Sequence, residues 1–258
     1  MSVNNPQYNY INISKNWVIS QDFFGFISVG LAILQEITRF FTPMSFLTIA
    51  SVILVLEYIS SYFAKVYFDK GHVIREKGLL DNSFQEKRIP NYNSVEYYNN
   101  EMIDGGYIKL LANIHENALF TSSISNIMSK WYFIVSIITF LIFLIKLFLS
   151  GMDEYSSILL GFIVSGSFFQ RAMNIYSLKK VTEDIYDKAN DICNLCEKNQ
   201  NDSSVFLSNI LELLLMYENA IFESKVILNQ NVFDKLNYSL SKEWEKTRNT
   251  YSIYNREK

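Results

Sequence analysis

Hydrophobic positions along the chain fall into long runs separated by amphipathic and polar stretches. The clearest run is WYFIVSIITFLIFLIKLFL at 131–149, which has no polar face and one charge, Lys146, near its far end. A helix of that length matches a hydrocarbon core of roughly 30 Å, so the pattern predicts a transmembrane span. A second run at 155–175 contains SSILLGFIVSGSFF and ends on Gln170 and Arg171; its arginine can sit near headgroups and extend toward water. The turn between them is short, so the two helices are antiparallel neighbours. Upstream, 44–63 (MSFLTIASVILVLEYISSYF) repeats the pattern, broken by Glu57, and 22–41 precedes it with DFFGFISVGLAIL followed by Gln35, Glu36 and Arg39. Thr42-Pro43 separates these two as a turn that opens the next helix. The alternative for 22–41 is an amphipathic helix lying in the interface.

Each hairpin continues into an amphipathic helix. One runs through AKVYFDKGHVIREKGLL to Asp81-Asn82, the other through RAMNIYSLKKVTEDIYDKANDICNLCEKNQ to a polar break at 199–204. Between them, Asn93 and Glu96 have capping-box spacing, Gly105-Gly106 ends that helix, and Leu110, Leu111, Ile114, Leu119 and Ile124 mark the next. In the tail, Phe206, Ile210, Leu213, Leu214, Tyr217 and Ile221 form one helical face; after a break at 229–231, Phe233, Leu236, Leu240 and Trp244 form another. The expected organisation is a polar N-terminal segment at 1–21, a hairpin at 22–63, a cytoplasmic helical segment at 64–130, a second hairpin at 131–175 and a helical tail at 176–258. The fold class is therefore all-α, an integral membrane protein with two transmembrane helical hairpins. The plan repeats but the residues do not.

Composition agrees with this division. Hydrophobic residues make up 49% and charged residues 19%, so the apolar content must be concentrated in segments, and with 3 prolines and 9 glycines the chain favours helices. A net charge of −3 offers no basic surplus for nucleic acid. Charge also orients the spans. The turns carry Arg39 or Asp153 and Glu154, whereas Lys65, Lys70, Arg75, Lys77, Lys87, Arg88, Lys109 and Lys130 lie in the middle segment. Basic flanks remain cytoplasmic, which places both termini and the middle segment on the cytoplasmic side of the membrane. The start of the chain lacks the basic, then apolar pattern of a signal peptide.

Glu57 is the residue most open to a functional reading, since ionisable groups inside a span are expensive and face a water path or a partner. Glu57 with Ser61 one turn on would line an ion path, and pairing with Lys65 or Arg171 is the structural alternative. Ser45, Thr48 and Ser51 recur at near-helical spacing and would line a polar seam between copies; small residues also simply permit close helix packing. Arg171 is expected to act as an interface cation. Cys193 and Cys196 form a lone Cys-x-x-Cys without nearby histidines, and His72 and His115 are expected to be surface or packing residues, so neither a metal nor another cofactor is expected. No P-loop, dinucleotide motif, His-Glu-x-x-His or nucleophile elbow is present, which gives enzyme activity no support.

The order of parts resembles the SMODS-associating four-transmembrane effectors of bacterial anti-phage systems. The shared features are a short polar start, a hairpin, a helical insert, a second hairpin beginning at KWYFIVSIITFLIFLIKLFLSG, and the tail MYENAIFESKVILNQNVFDKLNYSLSKEWEKTR. That resemblance implies a homo-oligomer that breaches the lipid bilayer of the inner membrane when a cyclic nucleotide or other cytoplasmic trigger appears. It brings no catalytic residue with it. Arg75, Lys77, Lys87 and Arg88 are basic candidates for the trigger, and equally a solvated face beside anionic lipid. A constitutive oligomeric channel and a non-conducting membrane scaffold are the alternatives.

Overall fold

Among the described residues, the long apolar and amphipathic runs form six α-helices and a closing 3-10 turn. The structure, a computed structural model, describes residues 7–38, 40–90, 92, 100–152, 167–198 and 206–254. The helices are α1 (Tyr8–Thr38), α2 (Pro43–Phe84), α3 (Tyr107–Ser150), α4 (Ser167–Lys198), α5 (Leu207–Ser224) and α6 (Gln230–Thr250), followed by the turn Ser252–Tyr254. No strand occurs among the described residues. Among the described residues, three helices, α1, α2 and α3, contain segments long and apolar enough to cross a membrane. Most of the fourth expected span, together with Arg39, the Asn93–Glu96 pair, Asp153, Glu154 and Gly161, lies outside the described residues.

The residues divide into two units. One contains Tyr10–Phe68 and Ser129–Asn174 and is called the apolar unit here; the other contains Met1–Asn9, Asp69–Met128 and Ile175–Lys258 and is called the polar unit. α2, α3 and α4 each contribute to both.

In the apolar unit, α1 and α2 pack antiparallel. Ser14 donates to the Ala64 carbonyl at 2.7 Å and Trp17 stacks on Phe63, while farther along Ala32 joins Phe46 and Ala50 in a cluster that Phe143 of α3 completes. Alanines at these positions let the backbones approach, the means by which helices pack in lipid. α1 starts at Tyr8, well ahead of Asp22, so much of the polar N-terminal stretch is helical. The sequence conceals this because Ser14 and Trp17 bind α2 through a hydroxyl and an indole ring rather than through an aliphatic stripe.

The turn between α1 and α2 is closed by two devices. Thr42 caps α2, its hydroxyl accepting from Ser45 N at 3.3 Å with Pro43 as the first helical residue. Gln35 is buried and clasps the Phe41 backbone at both ends, donating to its carbonyl at 2.8 Å and accepting from its N–H at 2.9 Å. Those backbone groups therefore have partners without water.

In the polar unit, the predicted faces are the buried ones. Leu110, Leu111, Ile114 and Ile124 of α3, Phe206 just ahead of α5, and Ile210, Leu213, Tyr217 and Ile221 of α5 are buried. α2 ends in a left-handed residue, Gln85 (φ 56°), with Glu86 N donating to the Asp81 carbonyl at 3.1 Å, a Schellman-type closure. The Asp81 carboxylate then receives the N–H groups of Arg88 and Ile89, fixing the exit of the chain. Gly106, at φ 141°, donates to the Ser83 carbonyl at 2.7 Å, a backbone conformation open to glycine. Asn229 caps α6 by accepting from Asn231 N and Val232 N, which accounts for the polar break seen in the sequence.

Candidate functional site

Helical periodicity sorts the candidate residues of α2 onto opposite faces. Phe46, Ala50, Ile53, Glu57, Ser60 and Ala64 recur every third or fourth residue and are buried. Ser45, Thr48 and Ser51 lie on the exposed side, and Ser61 is half-buried. Glu57 therefore shares the packed face of the apolar unit, and the three hydroxyl residues do not join it. Thr48 donates back to the Met44 carbonyl at 2.9 Å, and the Ser45 and Thr42 hydroxyls are 2.8 Å apart. Hydroxyls satisfied in this way can lie on an outer face in lipid without leaving bare donors.

Arg171 of α4 has a defined seat in the same unit. Its Nη1 donates to both Asp22 oxygens at 2.5 and 2.7 Å, and its Nη2 to the Gln21 Oε1 at 3.2 Å. The guanidinium also lies 5.5 Å from the centre of the Tyr132 ring. Three helices, α1, α3 and α4, thus converge on one cation. Asp22, the first residue of the expected span, supplies its counter-charge.

The polar unit holds a buried network of side chains. Asn100 donates to Asn113 Oδ1 at 2.9 Å and to Glu116 Oε2 at 2.8 Å, and accepts from Trp244 Nε1 at 3.2 Å. Asn113 in turn donates to Asn82 at 2.8 Å and Ser83 at 3.1 Å. Burial pushes Glu116 up to about 7, against the hydrogen bond from Asn100. Next to Glu116, His115 is enclosed by the rings of Tyr186, Trp244, Tyr251 and Tyr254, and its Nδ1 lies 3.3 Å from the Tyr254 hydroxyl. Burial drives His115 down to about 4, so it is neutral at physiological pH. Cys193 donates to the same Tyr254 oxygen at 3.0 Å, and burial pushes its thiol to about 12. Cys196 is also buried, and both are free thiols. This pair faces an aromatic core and has the environment of an inert cysteine.

A second cluster joins α2 to α5. His72 Nε2 lies 3.3 Å from Glu76 Oε1 and 3.8 Å from Glu218 Oε2, and the same Glu218 oxygen receives Arg75. His72 is deeply buried, the packing alternative of the two expected from sequence, and is pushed down to about 4 by burial and by Arg75 and Lys225. Burial raises Glu218 to about 7, with Arg75 opposing. Lys225, beyond the end of α5, pairs with Asp69 and covers the Phe222 ring at 3.4 Å. Arg75 is therefore an internal ion-pair partner rather than part of a solvated basic face. Asp69, His72 and Glu76 share one helical face at i, i+3 and i+7, a pattern visible in the sequence; their partner on α5 is not.

The described residues form an all-α protein with several long apolar helices, consistent with a membrane location. No protein-family model matches the chain, and neither curated proteins nor solved structures yield a match.

Proposed function

We propose that the chain is a membrane effector of bacterial anti-phage defence. Its two hairpins assemble with those of other copies and permeabilise the inner membrane when a nucleotide signal reaches the cytoplasmic helices. The observation that carries this reading is the outward placement of apolar residues. Ile134, Ile137, Ile138, Phe140, Leu141, Ile145, Phe148 and Leu149 of α3 are exposed, as are Val52, Val55, Tyr58 and Tyr62 of α2. A continuous surface of this kind needs lipid or another copy to cover it. The helical-hairpin order of the sequence, and its resemblance to four-transmembrane effectors, support the defence role. Glu57, on the packed face of α2, is the ion-path candidate, and Ser45, Thr48 and Ser51 occupy a face available to a neighbouring copy.

The test is membrane potential, read with a voltage-sensitive dye in bacteria expressing the chain with and without a co-expressed cyclic-nucleotide synthase. Depolarisation with growth arrest is expected when the synthase is active. Depolarisation in both cultures would instead identify a constitutive channel. Its absence in both would identify a non-conducting scaffold and overturn the proposal. In a conducting assembly, Glu57→Ala should change the conductance; an unchanged value would remove Glu57 from the path.

A further inference from the structure

His72, Glu76 and Glu218 bring three potential metal-binding atoms together from two helices. The atoms lie within 4.8 Å of one another, and the two measured separations from His72 Nε2 are 3.3 and 3.8 Å. Two ligands bound to one zinc ion at about 2.0–2.1 Å and a tetrahedral angle stand roughly 3.4 Å apart. The spacing is therefore that of a ligand set drawn slightly open. His72 and Glu76 are one helical turn apart on α2, which places both on the same side, and α5 brings Glu218 against them.

A second observation points to a cation. Glu218 is only 8% exposed, and its Oε1 is a buried atom with no hydrogen-bond partner among the described residues. A buried carboxylate oxygen without a donor is costly, and a metal ion would supply what the protein does not. The other oxygen, Oε2, is the one 3.8 Å from His72 Nε2 and is held by Arg75, so Oε1 is the oxygen left for an ion; the Arg75 guanidinium also lies 5.4 Å from the centre of the Tyr217 ring. Arg75 thus orients the carboxylate, as hydrogen-bonded neighbours commonly do for ligands of a metal.

We propose that His72, Glu76 and Glu218 form a binding site for a divalent transition ion of the zinc type, which ties α5 to α2. One imidazole and two carboxylates suit such an ion better than calcium or magnesium, whose ligands are oxygens. Glu76 is partly exposed, so the ion has an entry side and a position for water. The site is independent of the membrane activity proposed above.

The experiment uses the full chain in detergent, stripped with a chelator and titrated with Co2+ alone, followed by competition with Zn2+. One equivalent of Co2+ should produce a visible d–d absorption band that Zn2+ abolishes, with a rise in thermal midpoint on Zn2+ addition. His72→Asn, Glu76→Gln and Glu218→Gln should each weaken binding by about 100-fold or more, since even loss of an outer partner of a ligand costs roughly 10–100-fold. Far-UV circular dichroism identifies any variant that has lost its helices, and the wild-type titration decides the matter independently. No one-equivalent band in the wild type, or a band of equal affinity in all three folded variants, would overturn the proposal.

Discussion

Replacing Glu116 with Gln removes a buried charge while leaving an acceptor for Asn100. Glu116 rises from 4.5 to about 7 in the folded protein because burial disfavours its charged form. In an acid raised in this way, the folded state holds the proton more tightly than the unfolded chain does. Its contribution is fully present below about pH 4.5 and is lost as the pH rises through 7. The difference of 7 minus 4.5 gives 2.5 units, which at 1.36 kcal/mol per unit corresponds to about 3 kcal/mol. Glu116→Gln should therefore gain about 3 kcal/mol relative to wild type between pH 4.5 and pH 8. Denaturant unfolding in detergent, followed by tryptophan fluorescence, gives the measurement. Trp244 is a close reporter, because its indole N–H binds Asn100, which in turn binds Glu116. A stability difference that stays constant from pH 4.5 to pH 8, or that moves against the variant, would refute the assignment of burial as the cause.

Two further outcomes can be checked directly. Arg171→Ala strands Asp22 on α1, and losing one partner of a largely buried pair typically costs about 3–5 kcal/mol. The variant should purify with a lower thermal midpoint, and the double change Arg171→Gln with Asp22→Asn should recover part of the loss; equal midpoints for the single variant and wild type would contradict this role. Cys193, with its thiol raised to about 12 and buried against Tyr254, should resist maleimide at pH 7.5 in the folded protein and react on unfolding. Rapid native labelling, mapped to Cys193 by peptide mass, would refute that environment.

The sequence announced what depends on periodicity. The apolar runs of α2 and α3, the faces of α5 and α6 and the polar break before α6 all follow from the order of apolar and polar residues along the chain. What it concealed depends on pairs distant along the chain. Asp22 meets Arg171 and His72 meets Glu218, and neither pair shares a helix or a turn. The same holds for Asn100, whose amide joins the start of α3 to Trp244 near the end of α6. A polar asparagine reads as loop, and only the partners on two helices explain its burial. The hydroxyls on α2 show the opposite limit. Their spacing was legible, but which side of the helix they took depended on where Phe46 and Ala50 found partners.

The clasp of Gln35 on Phe41 bears on how the chain enters a bilayer. A reversal between two apolar helices normally carries open peptide groups that must stay at the water boundary, since each bare one costs several kcal/mol in hydrocarbon. Here the glutamine amide occupies both polar groups of the Phe41 peptide, and Thr42 takes up the start of the next helix. The bend brings part of its own solvent with it. In the membrane function proposed above, α1 and α2 would descend together, as one pre-paired element, with less of the desolvation barrier that holds an ordinary turn at the surface.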